Sequence, residues 1–230
     1  QGPARIRNYL ASEARYPYLL FLDSDVMPVS DSFLEEYLQV ARTGRVVCGG
    51  FIYPRKRIPA NAILRYKYGM AVEEQSAGQR NKEPYNRFIS MNFMICRDAF
   101  LKVRFDETFH LGYEDTLFGM QLEQAGVEIL HIDNPVYHLV EENSEQFLMK
   151  IRRAVRNLDG HIEQMHSHVK LLRWYACVKR LGMAPLVAFL FRQIEKRLVS
   201  NLTSRKPSLK LFAFYKLGYL CNFLSQKKPD

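Results

Sequence analysis

The chain has 230 residues, of which 47% are hydrophobic and 25% charged, with 12 Gly and 10 Pro. That is enough for one α/β domain with a helical appendage, and it excludes a disordered or low-complexity protein. The four cysteines (Cys48, Cys96, Cys177 and Cys221) are widely spaced and form no C-x-x-C pair, which argues against a zinc ribbon or disulfide scaffold and for reduced thiols. Net charge is +9, with Lys and Arg in excess from Lys150 onward and no nucleic-acid motif beside them, so nucleic acid is not an expected partner. An anionic membrane surface and a solvated basic face both fit the excess.

In chain order, Arg5 to Ala14 reads as a helix with Ile6, Leu10 and Ala14 on one face, ended by Pro17. Tyr18 to Leu22 is a short continuous apolar run, as expected of a strand buried on both faces, and it stops at Asp23-Ser24-Asp25. Ser30-Asp31 caps a helix over Ser32 to Ala41. Arg45 to Cys48 is a second buried strand, broken by Gly49-Gly50. Strand-helix-strand order predicts a right-handed crossover and a parallel sheet. Pro54 to Arg87 is polar and basic, with helix near Ala62 to Glu74 and a mobile loop at Gln79 to Pro84. Phe88 to Cys96 is strand-like, a short helix begins at Arg97, Thr116 to Gln124 is a helix stopped by Gly126, and Val127 to Ile132 is a closing strand before Asn134-Pro135.

From Ser144 the pattern is helical, with helices over Gln146 to Asn157, Val169 to Arg180, Ala184 to Leu198 and Leu209 to Leu224. The longest apolar run, Met183 to Phe191, falls short of the about 20 residues that a spanning helix needs, and leaves a surface-lying amphipathic helix open.

Three clusters carry chemistry. Asp23-Ser24-Asp25 lies at the carboxyl end of a predicted strand, where open α/β sheets bind ligands. Two carboxylates there suit a hard divalent cation that leaves its other positions to phosphate and water, and they equally suit a turn or cap. In Gly112-Tyr113-Glu114-Asp115, which precedes a helix, the acids fit an N-cap and a favourable helix dipole, or a general base taking a proton from a hydroxyl. His138 follows the Asn134-Pro135 turn. Beside an Asp-rich site its imidazole completes a mixed N/O set for manganese or magnesium, and alone it is an ordinary surface or core residue.

The order of these clusters runs Gly2-x-x-x-x-Arg7-Asn8, Phe21-Leu22-Asp23-Ser24-Asp25, Asn92, Phe105-Asp106-Glu107, Gly112-Tyr113-Glu114-Asp115 and Asp133-Asn134-Pro135-Val136-Tyr137-His138. It resembles the family 2 glycosyltransferases of the GT-A fold, and around Gly112 to Gly126 the galactosyltransferase-type carboxyl-terminal pattern. The likeness covers Gly2 to Leu148, about two-thirds of the chain.

The resemblance implies a Rossmann-type, mostly parallel α/β sheet over residues 1–143 and a separate helical region over 144–230. It implies an inverting transferase acting between a nucleotide-diphosphate sugar and a glycan or lipid-linked glycan hydroxyl, in bacterial surface-polysaccharide synthesis. Such an enzyme would be cytoplasmic or peripheral at the inner face of the cell membrane; lipid contact through the carboxyl-terminal helices is an expectation from their basic charge, outside the resemblance. By the same likeness Asp115 is the base and Glu114 its acceptor-contacting neighbour. Asp23 lies near the ribose or metal, Asp25 and His138 hold Mn²⁺ or Mg²⁺, and Arg7 and Asn8 match the helix start beside the donor. Tyr113 and Asn92 lie on the acceptor side. Family members begin with strands and a turn that hold the base and ribose, and none precedes Gln1, so a partial core with weak nucleotide binding is expected. Two rival readings fit the same residues. One is a nucleotidyltransferase or sugar-phosphate pyrophosphorylase, which would show a Gly-rich basic loop. The other is a non-enzymatic membrane-surface module, in which the acidic clusters do nothing.

Overall fold

The computed structural model describes residues 2–56, 58–109 and 112–227; the expected limits at Gln1 and Asp230, and Arg57 of the polar segment, lie outside them. Two compact units form, one from Gln1–Arg57 and Gly69–Glu141, the other from Ile58–Tyr68 and Glu142–Asp230. Segment 58–68, which the sequence places among residues 1–143, groups with the helical residues.

The first unit opens with α1 (Pro3–Glu13), β1 (Tyr18–Leu22), β2 (Val26–Pro28), α2 (Phe33–Val40), β3 (Arg45–Cys48) and β4 (Phe51–Ile52). Its elements resume after the excursion with a π-helical turn (Gly69–Glu73). The main sheet adds β5 (Asn92–Cys96) and β6 (Glu128–His131) in the order β1-β5-β3-β6. Strand β5 is antiparallel to both β1 and β3, and β6 is parallel to β3, so β1, β3 and β6 run one way and β5 the other. The expectation of a mostly parallel Rossmann-type sheet is therefore corrected to a mixed α/β arrangement. The helix between them gives β1 and β3 a common direction. Strand β5 enters between them reversed, and a run buried on both faces carries no mark of direction in its sequence. A second sheet, β2-β7-β4, uses β7 (Val136–His138), with β2 antiparallel and β4 parallel to it.

The core of this unit is aromatic. Phe21 stacks on Phe93 at 4.8 Å between ring centroids, and Phe105 on Phe118 at 4.0 Å, with Phe88 and Phe100 packed around them. Each buried ring contributes about 2–3 kcal/mol. Phe118 comes from α6 (Glu114–Gln124), which starts two residues earlier than expected, and Phe100 from α5 (Arg97–Val103). Helix α1 buries Ala4, Arg7, Asn8 and Ala11, while Ile6 and Leu10 of the apolar face stay exposed. Asn8 explains this. Its amide donates to Phe105 O (2.9 Å) and its oxygen accepts from Phe105 N–H (2.9 Å), which locks the helix onto the segment before α6. The expected mobile loop at 79–84 is partly helical: α4 (Ala77–Arg80) starts with a Ser76–Gln79 capping box, and Arg80 is buried.

The second unit is helical: α3 (Ile63–Tyr68), α7 (Ser144–Asn157), α8 (Ile162–Met165), α9 (Lys170–Arg180), α10 (Ala184–Leu202) and α11 (Leu209–Ser225). Helix α10 buries Ala188, Phe191, Leu198 and Leu202, a three-four spacing that makes a seam, and Phe191 packs against Tyr215, Gly218 and Tyr219 of α11. All four cysteines are free thiols.

Candidate active-site cleft

At the carboxyl end of β1 the chain leaves the main sheet through Asp23-Ser24-Asp25 and enters β2 of the second sheet. The β2–β7 ladder pairs Val26 with His138, and Leu139 N–H donates to Asp25 O at 2.8 Å. That register brings Asp25 to His138, with Oδ2 and Nε2 3.3 Å apart. The short strands of this second sheet escaped the sequence reading because two or three residues give no periodicity.

Behind His138 runs a polar chain. Tyr53 Oη donates to Glu73 Oε2 at 2.5 Å, and His138 Nδ1 lies 3.3 Å from Tyr53 Oη. With the tyrosine proton on Glu73, the bond to His138 requires a proton on Nδ1. Nε2 of the neutral ring then turns a lone pair toward the Asp25 carboxylate, and two such acceptors facing each other need a proton or a cation between them. Gly69 permits this arrangement, since a Cβ there would collide with the Tyr53 ring. Neither Tyr53 nor Glu73 carried a sequence signal.

Asp23 sits differently. Its Oδ1 accepts from Arg7 Nη2 at 2.6 Å, so it is committed to an ion pair rather than to the Asp25–His138 pair. Among the described residues no group of three or more His, Cys, Asp or Glu forms a metal cage. Asp25 and His138 fit a divalent ion that draws its other ligands from phosphate and water.

A cleft of ≈ 600 Å³ brings Arg7, Asp23, Asp25, Ser90, Glu114 and Asp115 together. Glu114 and Asp115 open α6, where the helix dipole favours anions. They reach the cleft through two successive left-handed residues, Gly112 (φ 80°) and Tyr113 (φ 69°). Tyr113 is the N-cap of α6, the position that the sequence offered to Asp115. A left-handed non-glycine residue costs of order 1–3 kcal/mol, and such strain gathers at functional sites. Asp115 Oδ2 accepts from Ser90 N–H at 3.2 Å, while its Oδ1 and Glu114 Oε2 are buried without a hydrogen-bond partner among the described residues. Burial, then the charge of Asp115, pushes the Glu114 carboxyl up to about 7. Burial also raises Asp115, against the pull of Arg7 and of the Ser90 bond. Arg7 keeps a buried Nη1 unpartnered among the described residues, with its guanidinium over the Phe105 ring at 5.5 Å.

Asn92 is buried, and its amide is committed elsewhere. It accepts from Tyr37 Oη (2.6 Å) and donates to Gly50 O (2.8 Å) and Asn134 O (3.0 Å). The expected acceptor contact gives way to a knot tying α2, the β3–β4 turn and β5. A second knot lies nearby, where Arg80 Nε donates to His131 Nδ1 at 3.1 Å and His131 Nε2 therefore donates to Pro84 O at 3.0 Å. Burial holds His131 down at about 4, so it stays neutral as this bonding requires. The knots flank a smaller cavity of ≈ 180 Å³ that also reaches Glu73.

No family model matches the chain, and no match is found among curated proteins.

Proposed function

We propose that the chain carries the catalytic cleft of a metal-dependent, inverting glycosyltransferase. It would move a sugar from a nucleoside-diphosphate carrier to a glycan hydroxyl. The observation that carries this reading is the convergence of Asp25, backed by His138, and the Glu114–Asp115 pair on one cleft. Asp25 and His138 would hold the Mn²⁺ or Mg²⁺, which neutralises charge on the leaving diphosphate when bound.

The protein groups divide the remaining work. Ser90 N–H fixes one oxygen of Asp115 and leaves its buried Oδ1 without a hydrogen-bond partner among the described residues, free to accept a proton as a base needs. Asp115 Oδ1 takes the acceptor hydroxyl's proton as that oxygen attacks the anomeric carbon and the bond to diphosphate breaks, inverting the centre. Arg7, whose Nη1 has no partner among the described residues, is suited to a donor phosphate oxygen while Nη2 holds Asp23. Glu114, titrating near neutrality, can hold an acceptor hydroxyl by donating or accepting a hydrogen bond. Positioning and charge stabilisation supply most of the rate, because a general base alone supplies about 10²–10⁴-fold.

Calorimetry with Mn²⁺ and a panel of nucleotide sugars, run against nucleoside triphosphates, tests the reading. Preference for a nucleotide sugar supports it. Preference for a triphosphate would give the site to a nucleotidyltransferase instead.

A further inference from the structure

The two helices that meet at Gly182 expose an apolar surface that the proposed chemistry does not use. Helices α9 and α10 are bent by 114°. Around the bend Trp174, Leu181, Met183, Leu186, Phe189 and Leu190 are each between 44 and 62% exposed. Spacing sorts them into short stripes. Trp174 and Leu181 lie two turns apart, and Leu186, Phe189 and Leu190 share one side of α10, away from its buried seam of Ala188, Phe191, Leu198 and Leu202. The exposed apolar stripe stops after two turns of α10. Beyond it the exposed positions are all polar or basic: Arg192, Gln193, Lys196, Arg197 and Ser200.

Charge selects the partner. From Lys170 to Ile194 the chain carries Lys170, Arg173, Lys179, Arg180 and Arg192 and no Asp or Glu. All five are exposed, so an apolar tip wears a cationic collar. A shallow depression of ≈ 270 Å³ among Lys170, Arg173 and Trp174 sets two cations beside an indole, an arrangement suited to a lipid phosphate at the headgroup level. Among the described residues no single helix is long and apolar enough to cross a bilayer. The charged second half of α10 and its seam against α11 also oppose a span.

We propose that the α9–α10 elbow is a membrane-docking surface that inserts its apolar tip into the interface of an anionic bilayer, with the basic collar on the headgroups. Insertion at this depth needs an amphipathic face rather than a long apolar run, and each basic residue near an anionic surface adds about a fivefold gain in partition. The inference is independent of the transferase reading.

Trp174 is the only tryptophan in the chain, so its fluorescence reports on the elbow directly. The whole chain is titrated with vesicles of phosphatidylcholine alone and with about one quarter phosphatidylglycerol. With the anionic vesicles Trp174 emission should shift to the blue and lose its quenching by acrylamide, with far less change on neutral vesicles and reversal by high salt. The double variant Phe189→Asp/Leu190→Asp, at exposed positions that leave the seam intact, should lose partition by about tenfold or more with unchanged circular dichroism. Emission indifferent to anionic vesicles would overturn the proposal, as would full binding by the double variant. So would a blue shift that follows protein concentration without lipid, which would make the elbow a contact between copies.

Discussion

His138 Nε2 faces Asp25 Oδ2 across 3.3 Å, and the antiparallel pairing of Val26 with His138 is what brings the two together. Removing either side chain should abolish metal binding. The more discriminating change is Tyr53→Phe, which deletes the acceptor of the Nδ1 proton while keeping the ring. Outer partners of this kind are worth about 10–100-fold in metal affinity. Calorimetric titration of the folded variant with Mn²⁺ should therefore show a tenfold or larger loss, and an unchanged affinity would remove Tyr53 from the site.

Asp115→Asn keeps the shape and the Ser90 bond but removes the proton acceptor. Turnover should fall by about 10²–10⁴-fold while nucleotide-sugar affinity is kept. Retained turnover in this variant would take Asp115 out of the reaction.

Glu114 predicts a pH effect of definite sign. Its folded value of about 7 lies above the ordinary 4.5, so the folded chain holds this proton more tightly than the unfolded one. Its stabilising contribution is complete below 4.5 and is lost as pH rises through about 7. Glu114→Gln abolishes the ionisation and should stabilise the protein by about 1–3 kcal/mol near pH 8, with almost no effect near pH 4. Melting temperatures of both proteins at the two pH values decide this, and a pH-independent difference would contradict it.

Gly49 lies where Asn134 O, Asn92 Nδ2 and Tyr37 Oη converge, each closer than an added Cβ allows. Gly49→Ala should cost about 2–4 kcal/mol, because the clash falls on a buried hydrogen-bonded knot that cannot yield without breaking. Denaturant unfolding measures this, and a loss below about 0.5 kcal/mol would mean that the knot relaxes freely.

Much of this architecture was legible in residue order. Apolar runs marked β1 and β3, and helix periodicity marked α2, α6, α10 and α11 to within a few residues. Asp23, Asp25, Glu114 and Asp115 were found because acids at strand ends and helix starts carry a recognisable spacing. What stayed hidden depends on register and side-chain burial. The reversed entry of β5 and the short strands β2, β4 and β7 leave no periodic trace. Nothing local separates Asp23, which pairs with Arg7, from Asp25, which faces His138. Nor does anything local announce that Asn92 is consumed in a knot, or that Tyr53 and Glu73 back the histidine.

The most direct test of the shared cleft is paramagnetic broadening by Mn²⁺ in the presence of a nucleoside diphosphate, followed at backbone amides by NMR. Signals of Asp25, Leu139 and Ser90 should broaden first, and Asp25→Ala should abolish the effect while the rest of the spectrum is preserved. Broadening centred away from the cleft, or persisting in Asp25→Ala, would contradict the account.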